Sequence, residues 1–167
     1  EELHGFRAFM GKIESGSLKV NDKIKVLPSN HESSIKEIRI GEELIPEATY
    51  EQSVTVSLND EIDISRGDMI VQKEDILKGT KNFTANVCWL SESKLSTNRT
   101  YLIMHTTRLS KAKISSINNK ININTLDTEQ ATELKANDIA NISFKLAQPL
   151  IVDQYSQNRG TGAFIII

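Results

Sequence analysis

Short runs of alternating apolar and polar residues, cut by turn-forming residues, constrain this chain more than any other feature. Val54-Thr55-Val56-Ser57-Leu58 alternates as a half-buried strand does, because successive strand side chains point to opposite faces. The run from Phe83 to Trp89 places Phe83, Ala85, Val87 and Trp89 on one face, and Ala140 to Leu146 repeats the pattern. Ile114 to Ile123 reads as a hairpin turning at Asn118-Asn119-Lys120, residues that tolerate left-handed backbone. Gly41 to Ala48, polar and carrying Pro46, reads as a loop or an irregular connection. Asp127 to Lys135 reads as a short helical turn, with a capping Asp or Thr ahead of Glu129 and Gln130. No stretch of about 15 residues carries an amphipathic helical pattern. The class predicted is all-β, in barrels or sandwiches.

A charged stretch, Gln72 to Thr80, separates the strand ending at Val71 from the one opening at Phe83. Two barrels of roughly 80 residues fit either side of it, and cores that small are expected to pack together. A 38% hydrophobic, 25% charged composition is that of a globular chain. The net charge of −2 excludes nucleic-acid binding through bulk electrostatics, though not a local basic patch. The single cysteine, Cys88, sits in Val87-Cys88-Trp89-Leu90, reads as a buried inert thiol, and sets a reducing, cytoplasmic location as the expectation. No apolar run reaches membrane-spanning length, and Glu1-Glu2-Leu3-His4 carries no signal-peptide pattern. The closing Phe164-Ile165-Ile166-Ile167 is an apolar strand without a polar exit, so the chain reads as a fragment.

Motifs with catalytic chemistry are poorly represented. His4, His31 and His105 are far apart, with no Cys or His at metal-ligand spacing. Gly5 to Ile13 approaches a phosphate loop but has five intervening residues and Ile13 where a magnesium-binding hydroxyl is required. Asn119-Lys120-Ile121-Asn122 resembles a guanine-reading motif but ends without the carboxylate, and reads as the hairpin turn. Arg66-Gly67-Asp68 reads as a turn joining Ile64 to the strand Met69-Ile70-Val71. Asn82-Phe83-Thr84, Asn98-Arg99-Thr100 and Asn141-Ile142-Ser143 match glycosylation triplets that matter only in secreted chains. Asp60, Glu61 and Asp63 read as a solvated loop. No catalytic, cofactor-binding or metal-binding residue is assigned.

Phe6 to Pro28 carries Gly16, Val20, Asp22 and the strand Ile24 to Leu27. It resembles the first hairpin region of the barrel that follows the GTPase domain in translation factors. Asn21 stands where a glycine is usual there, and Asn is the non-glycine residue best able to hold positive φ. Gln52 to Val71, with Glu61-Ile62-Asp63-Ile64-Ser65-Arg66-Gly67-Asp68 inside it, is similar to the large, GTPase-subunit family of bacterial sulfate adenylyltransferase. So are Val87 to Leu90, Tyr101 to Arg108, and the closing Asn158-Arg159-Gly160-Thr161-Gly162-Ala163-Phe164-Ile165-Ile166.

The resemblance implies a barrel of the translation-factor second-domain type over 1–78. It implies one of the elongation-factor C-terminal-domain type over 79–167, truncated at its C-terminus. It implies a GTP- and magnesium-binding domain upstream, with no cofactor held in these residues. The partner implied is a small catalytic subunit that makes adenosine 5′-phosphosulfate from ATP and sulfate, coupled to GTP hydrolysis, and the barrels would serve docking. The alternative is the tRNA- or ribosome-binding barrel pair of an elongation or termination factor. Its best local support is Lys111-Ala112-Lys113 near Arg108 and His105, read equally as a solvated strand edge.

Overall fold

The computed structural model describes residues 7–167. The readings of Glu1 to His4, and of the first residues of the phosphate-loop-like segment, lie outside the described residues. Every regular element among the described residues is a strand, as the alternation requires. The chain divides into two compact units. The first runs to Leu77 and takes in Asp153–Gly162; the second comprises Lys78–Val152 with Ala163–Ile167. Residues 153–162, assigned from sequence to the second barrel, thus lie with the first unit.

The first unit contains β1 (Phe9–Lys12), β2 (Ser17–Lys19), β3 (Lys23–Leu27), β4 (His31–Ile40), β5 (Glu43–Ile45), β6 (Glu47–Thr49), β7 (Ser53–Leu58) and β8 (Met69–Gln72). An antiparallel half-barrel runs β1-β7-β4-β3-β8, with β5 added to β4 and a separate β2–β6 ribbon. Its core is aliphatic: Ile24, Val26, Ile35, Ile38, Ala48, Val54 and Val56 are buried together. Gly41 to Ala48 is therefore not a loop. Pro46, which cannot donate to a ladder, falls between the short strands β5 and β6, and its carbonyl accepts the Val20 amide at 3.0 Å.

The second unit contains β9 (Thr80–Cys88), β10 (Thr100–His105), β11 (Arg108–Ile121), β12 (Thr128–Glu129), β13 (Ile139–Leu150) and β14 (Ile165–Ile166). They run antiparallel in the order β14-β10-β11-β13-β9, with β12 on β11. Its core adds aromatic rings to the aliphatic residues. Phe83 stacks on Phe144 at 5.2 Å between centroids, Phe164 meets Phe144 edge-on at 5.6 Å, and Tyr101 meets Trp89 edge-on at 5.9 Å.

Four local expectations fail in this unit. Asn118, Asn119 and Lys120 are not a hairpin turn; they lie inside β11, where the register with β13 slips between Ile114 and Ser116 and again between Ile117 and Asn119. Asparagine suits a bulge as well as a turn, and cross-strand bonds decide between them. Asn118 Nδ2 donates to Asn141 Oδ1 at 2.8 Å and to Ser143 Oγ at 3.0 Å, and Asn141 Nδ2 donates to Asn86 Oδ1 at 2.8 Å. The chain reverses instead after Asn122, whose amide donates to the Asp127 carbonyl at 2.9 Å. Asp127 to Lys135 forms no helix: β12 pairs with β11, and fully buried Leu134 bridges Leu95. Cys88 is exposed, because the alternation that buries Val87 and Trp89 turns the residue between them outward. Lys111-Ala112-Lys113 is not at a sheet edge, since β11 is paired by β10 and β13.

One turn recurs three times, each time immediately before a strand. In Lys19-Val20-Asn21-Asp22, Asn21 holds φ 73°, the Asp22 amide donates to the Lys19 carbonyl at 3.1 Å, and the Lys19 amide donates to Asp22 Oδ2 at 2.8 Å. Ser65-Arg66-Gly67-Asp68 repeats this with Gly67 at φ 95° and bonds of 3.0 and 2.9 Å, as the turn reading expected. Lys135-Ala136-Asn137-Asp138 repeats it in the second unit, with Asn137 at φ 69° and bonds of 3.1 and 2.8 Å. Only Gly, Asn or Asp enters that backbone region at low cost, and the aspartate closes the turn through its own side chain.

Candidate functional site

The closing motif Asn158 to Gly162 is a structural knot. Asn158 Oδ1 accepts the Gly160 amide at 2.9 Å and the Thr161 amide at 3.2 Å, while Nδ2 donates to the Glu14 carbonyl at 2.8 Å. Thr161 is buried and its hydroxyl donates to Asp153 Oδ2 at 2.6 Å. A Cβ at Gly162 would lie 2.5 Å from both the Asn158 carbonyl oxygen and Tyr155 Cα, so the backbone admits no side chain there. These residue types are accounted for by folding the loop. None is left presenting a nucleophile beside a base.

The phosphate-loop-like and guanine-like segments lack the geometry those motifs need. Gly11 and Lys12 are extended in β1 opposite Val54 and Ser53, and Asn119 to Ile121 are extended in β11 opposite β13. Neither is a loop whose amides converge on a phosphate or a base. Of the histidines, His31 begins β4 in an exposed position and His105 is buried at the end of β10. Among the described residues no group of three His, Cys, Asp or Glu is placed to hold a metal ion.

Shifted titrations trace to ion pairs. The Arg7 guanidinium, bonded at 2.5 Å, holds the Asp63 carboxyl below its usual range, while Asp60, Glu61 and Asp63 stay exposed as the solvated-loop reading expected. Glu32, at 2.6 Å, raises the Lys73 ammonium. Burial alone would raise Asp138; the Lys135 amide and the Lys120 ammonium, 3.0 Å away, outweigh it and leave the carboxyl below its usual range. Lys120 is raised in turn, chiefly by its bond to Asp138. An open depression of about 540 Å³ in the second unit is lined by Lys94, Ser96, Thr97, Arg99, Thr132 and Glu133. Lys94 and Glu133 are already paired there with each other at 2.7 Å as an exposed surface ion pair.

Charge is distributed very unevenly, which the near-neutral total conceals. The first unit carries 17 acids and 10 bases, the second 5 acids and 10 bases. From Ser93 to Leu126, and from Ile139 to Val152, there is no Asp or Glu. That signal was legible in the sequence and was masked by averaging over the whole chain.

The family model described as GTP-eEF1A C-terminal domain-like matches residues 82–167, just over half of the chain. The chain belongs to that family. It is 43% identical over 162 residues to sulfate adenylyltransferase subunit 1 of Francisella tularensis subsp. tularensis strain WY96-3418, and 40% identical over 162 residues to that of Psychromonas ingrahamii. Each match covers 97% of this chain and 34% of the relative, so the chain spans about a third of the length of the curated relatives it matches. The likeness to sulfate adenylyltransferase subunit 1 read from Gln52 to Val71 and Asn158 to Ile166 is borne out. A solved structure of sup35 complexed with GDP superposes with a TM-score of 0.87 at 17% identity, covering 95% of this chain and 40% of that one. At that identity the likeness is one of fold: translation-factor β-barrel architecture, as expected. No helix among the described residues is long and apolar enough to cross a membrane.

Proposed function

We propose that this chain is the β-barrel part of a sulfate adenylyltransferase subunit 1, without catalytic groups of its own, and that it docks a GTPase domain and a small catalytic subunit. The observation that carries this reading is the identity of about 40% to proteins of that name along 162 residues, spanning both units. The full-length polypeptide would bind GTP and magnesium outside these residues and couple GTP hydrolysis to formation of adenosine 5′-phosphosulfate from ATP and sulfate in the cytoplasm. The barrels supply rigid surfaces for the assembly, consistent with polar motifs consumed in turns and knots.

The test is binding of the full-length polypeptide to purified sulfate adenylyltransferase catalytic subunit and, in parallel, to aminoacyl-tRNA. Saturable association with the subunit, without comparable tRNA affinity, is the expected outcome. Tight tRNA binding with no subunit binding would replace this reading with a translation-factor role.

A further inference from the structure

We infer that the outward face of the second unit's sheet, from β14 across β10 and β11 to β13, docks a protein partner whose contact region sets apolar side chains beside aspartates and glutamates. The strand register defines this face. Met104 on β10 lies opposite Leu109 on β11 and Ile165 on β14. Leu102, next on the same face of β10, lies opposite Lys111 and exchanges backbone bonds with Ile167. Leu102 (38%), Leu109 (53%), Ile165 (57%) and Ile167 (62%) are exposed. Contiguous exposed aliphatics rimmed by polar residues mark an interaction surface more often than scattered ones do.

The charge beside the aliphatic patch specifies the occupant. Lys111 and Lys113 follow Leu109 on the same face of β11, and Lys113 stands directly opposite Lys145 on β13. All three lysines are exposed. Like charges placed directly across a strand pair are unfavourable. Among the described residues no acid is paired with them: β9, β10, β11, β13 and β14 contain neither Asp nor Glu, and Glu129 on β12 is engaged by Lys120. An acidic surface laid across the face would remove that repulsion while burying the aliphatics. Nucleic acid fits less well, since single-strand binders stack bases on exposed aromatic rings, whereas Phe83, Trp89, Tyr101, Phe144 and Phe164 are committed to the core. This inference rests on the docking reading above and adds which face is used and what chemistry the partner brings.

The experiment measures association of the full-length polypeptide with purified catalytic subunit by surface plasmon resonance at low and moderate salt. Three variants are compared with wild type: K111E/K113E/K145E, L102S/L109S, and K12E/K36E in the first unit as a control. Folding of each is checked by circular dichroism. The lysine reversal is expected to slow association about tenfold or more and flatten its salt dependence. The leucine pair is expected to speed dissociation about tenfold, and the control to match wild type. Folded face variants that bind like wild type overturn the inference and leave the docking reading standing. If wild type itself does not bind, both fall. Self-association lost in the face variants with subunit binding unchanged assigns the face to a second copy and overturns the inference, as does a selective loss of tRNA affinity.

Discussion

The two units use the same turn and then differ in what they pack behind it. Lys19 to Asp22 and Lys135 to Asp138 share Lys-x-Asn-Asp, a positive φ at the asparagine, and the same pair of bonds between the first and fourth residues. In the first unit the turn's carboxylate is braced by a neutral amide, Gln72 Nε2 at 2.8 Å. In the second it is braced by the Lys120 ammonium. Behind the turns, one core is wholly aliphatic and the other is organised around Phe144. Turn geometry is thus set by four local residues, whereas core composition and surface charge vary independently of it.

The largest effect that sharpens this contrast is expected at Phe144. Phe144→Ala removes a ring packed against both Phe83 and Phe164 and should cost about 3–5 kcal/mol. Urea titration followed by the fluorescence of Trp89, which lies in the same core, measures it. Ile38→Val in the first unit, where the site is equally buried but aliphatic, should cost about 0.5–1.5 kcal/mol, read by amide exchange in β3, β4 and β7. A Phe144→Ala cost no larger than that of the single methyl removed by Ile38→Val would show that the ring is not tightly packed against Phe83 and Phe164.

The shared turn offers a test of intermediate size. Asn21→Ala should cost about 1–2 kcal/mol, because alanine is held at positive φ, while Asn21→Gly should be nearly neutral. The same pair of substitutions at Asn137 should give the same ranking. Alanine tolerated at either position in urea titrations would show that the two turns are alike in geometry but not in energetics.

The smallest effect separates the two braces. Asp138 has its pKa depressed on folding, so its contribution is present above the usual carboxylate range and is lost as pH falls through the depressed value. Lys120 has its pKa raised, so its contribution is present below the usual ammonium value and is lost as pH rises through the raised one. Asp138→Asn should therefore destabilise at neutral pH by less than either change above, with the difference from wild type vanishing in acid and shrinking with salt. Asp138→Asn curves parallel to wild type at every pH would remove the ionic brace from the comparison.

Period-two alternation and turn chemistry made the class, the strands β3, β7, β8, β9 and β13 and the Asn21 turn legible from sequence, because those depend on neighbours one to four residues apart. The same alternation contained the answer for Cys88, which lies between two inward residues and had to face out. The closing Asn158 to Gly162 motif could be tied to a family but not to a role, since its bonds reach Asp153 and Glu14. Asn118 could have been turn or bulge by its own preferences. Asn141 and Ser143, brought beside it by β13, decided the matter. Leu134 likewise left a helical pattern to bridge Leu95. Where competing local conformations lie close in energy, a cross-strand hydrogen bond or a buried leucine is enough to choose, and those partners exist only once the sheet has closed. The lysine-and-leucine face has the same origin: Lys113 and Lys145 are 32 positions apart in sequence and become a facing pair only through the register of β11 on β13.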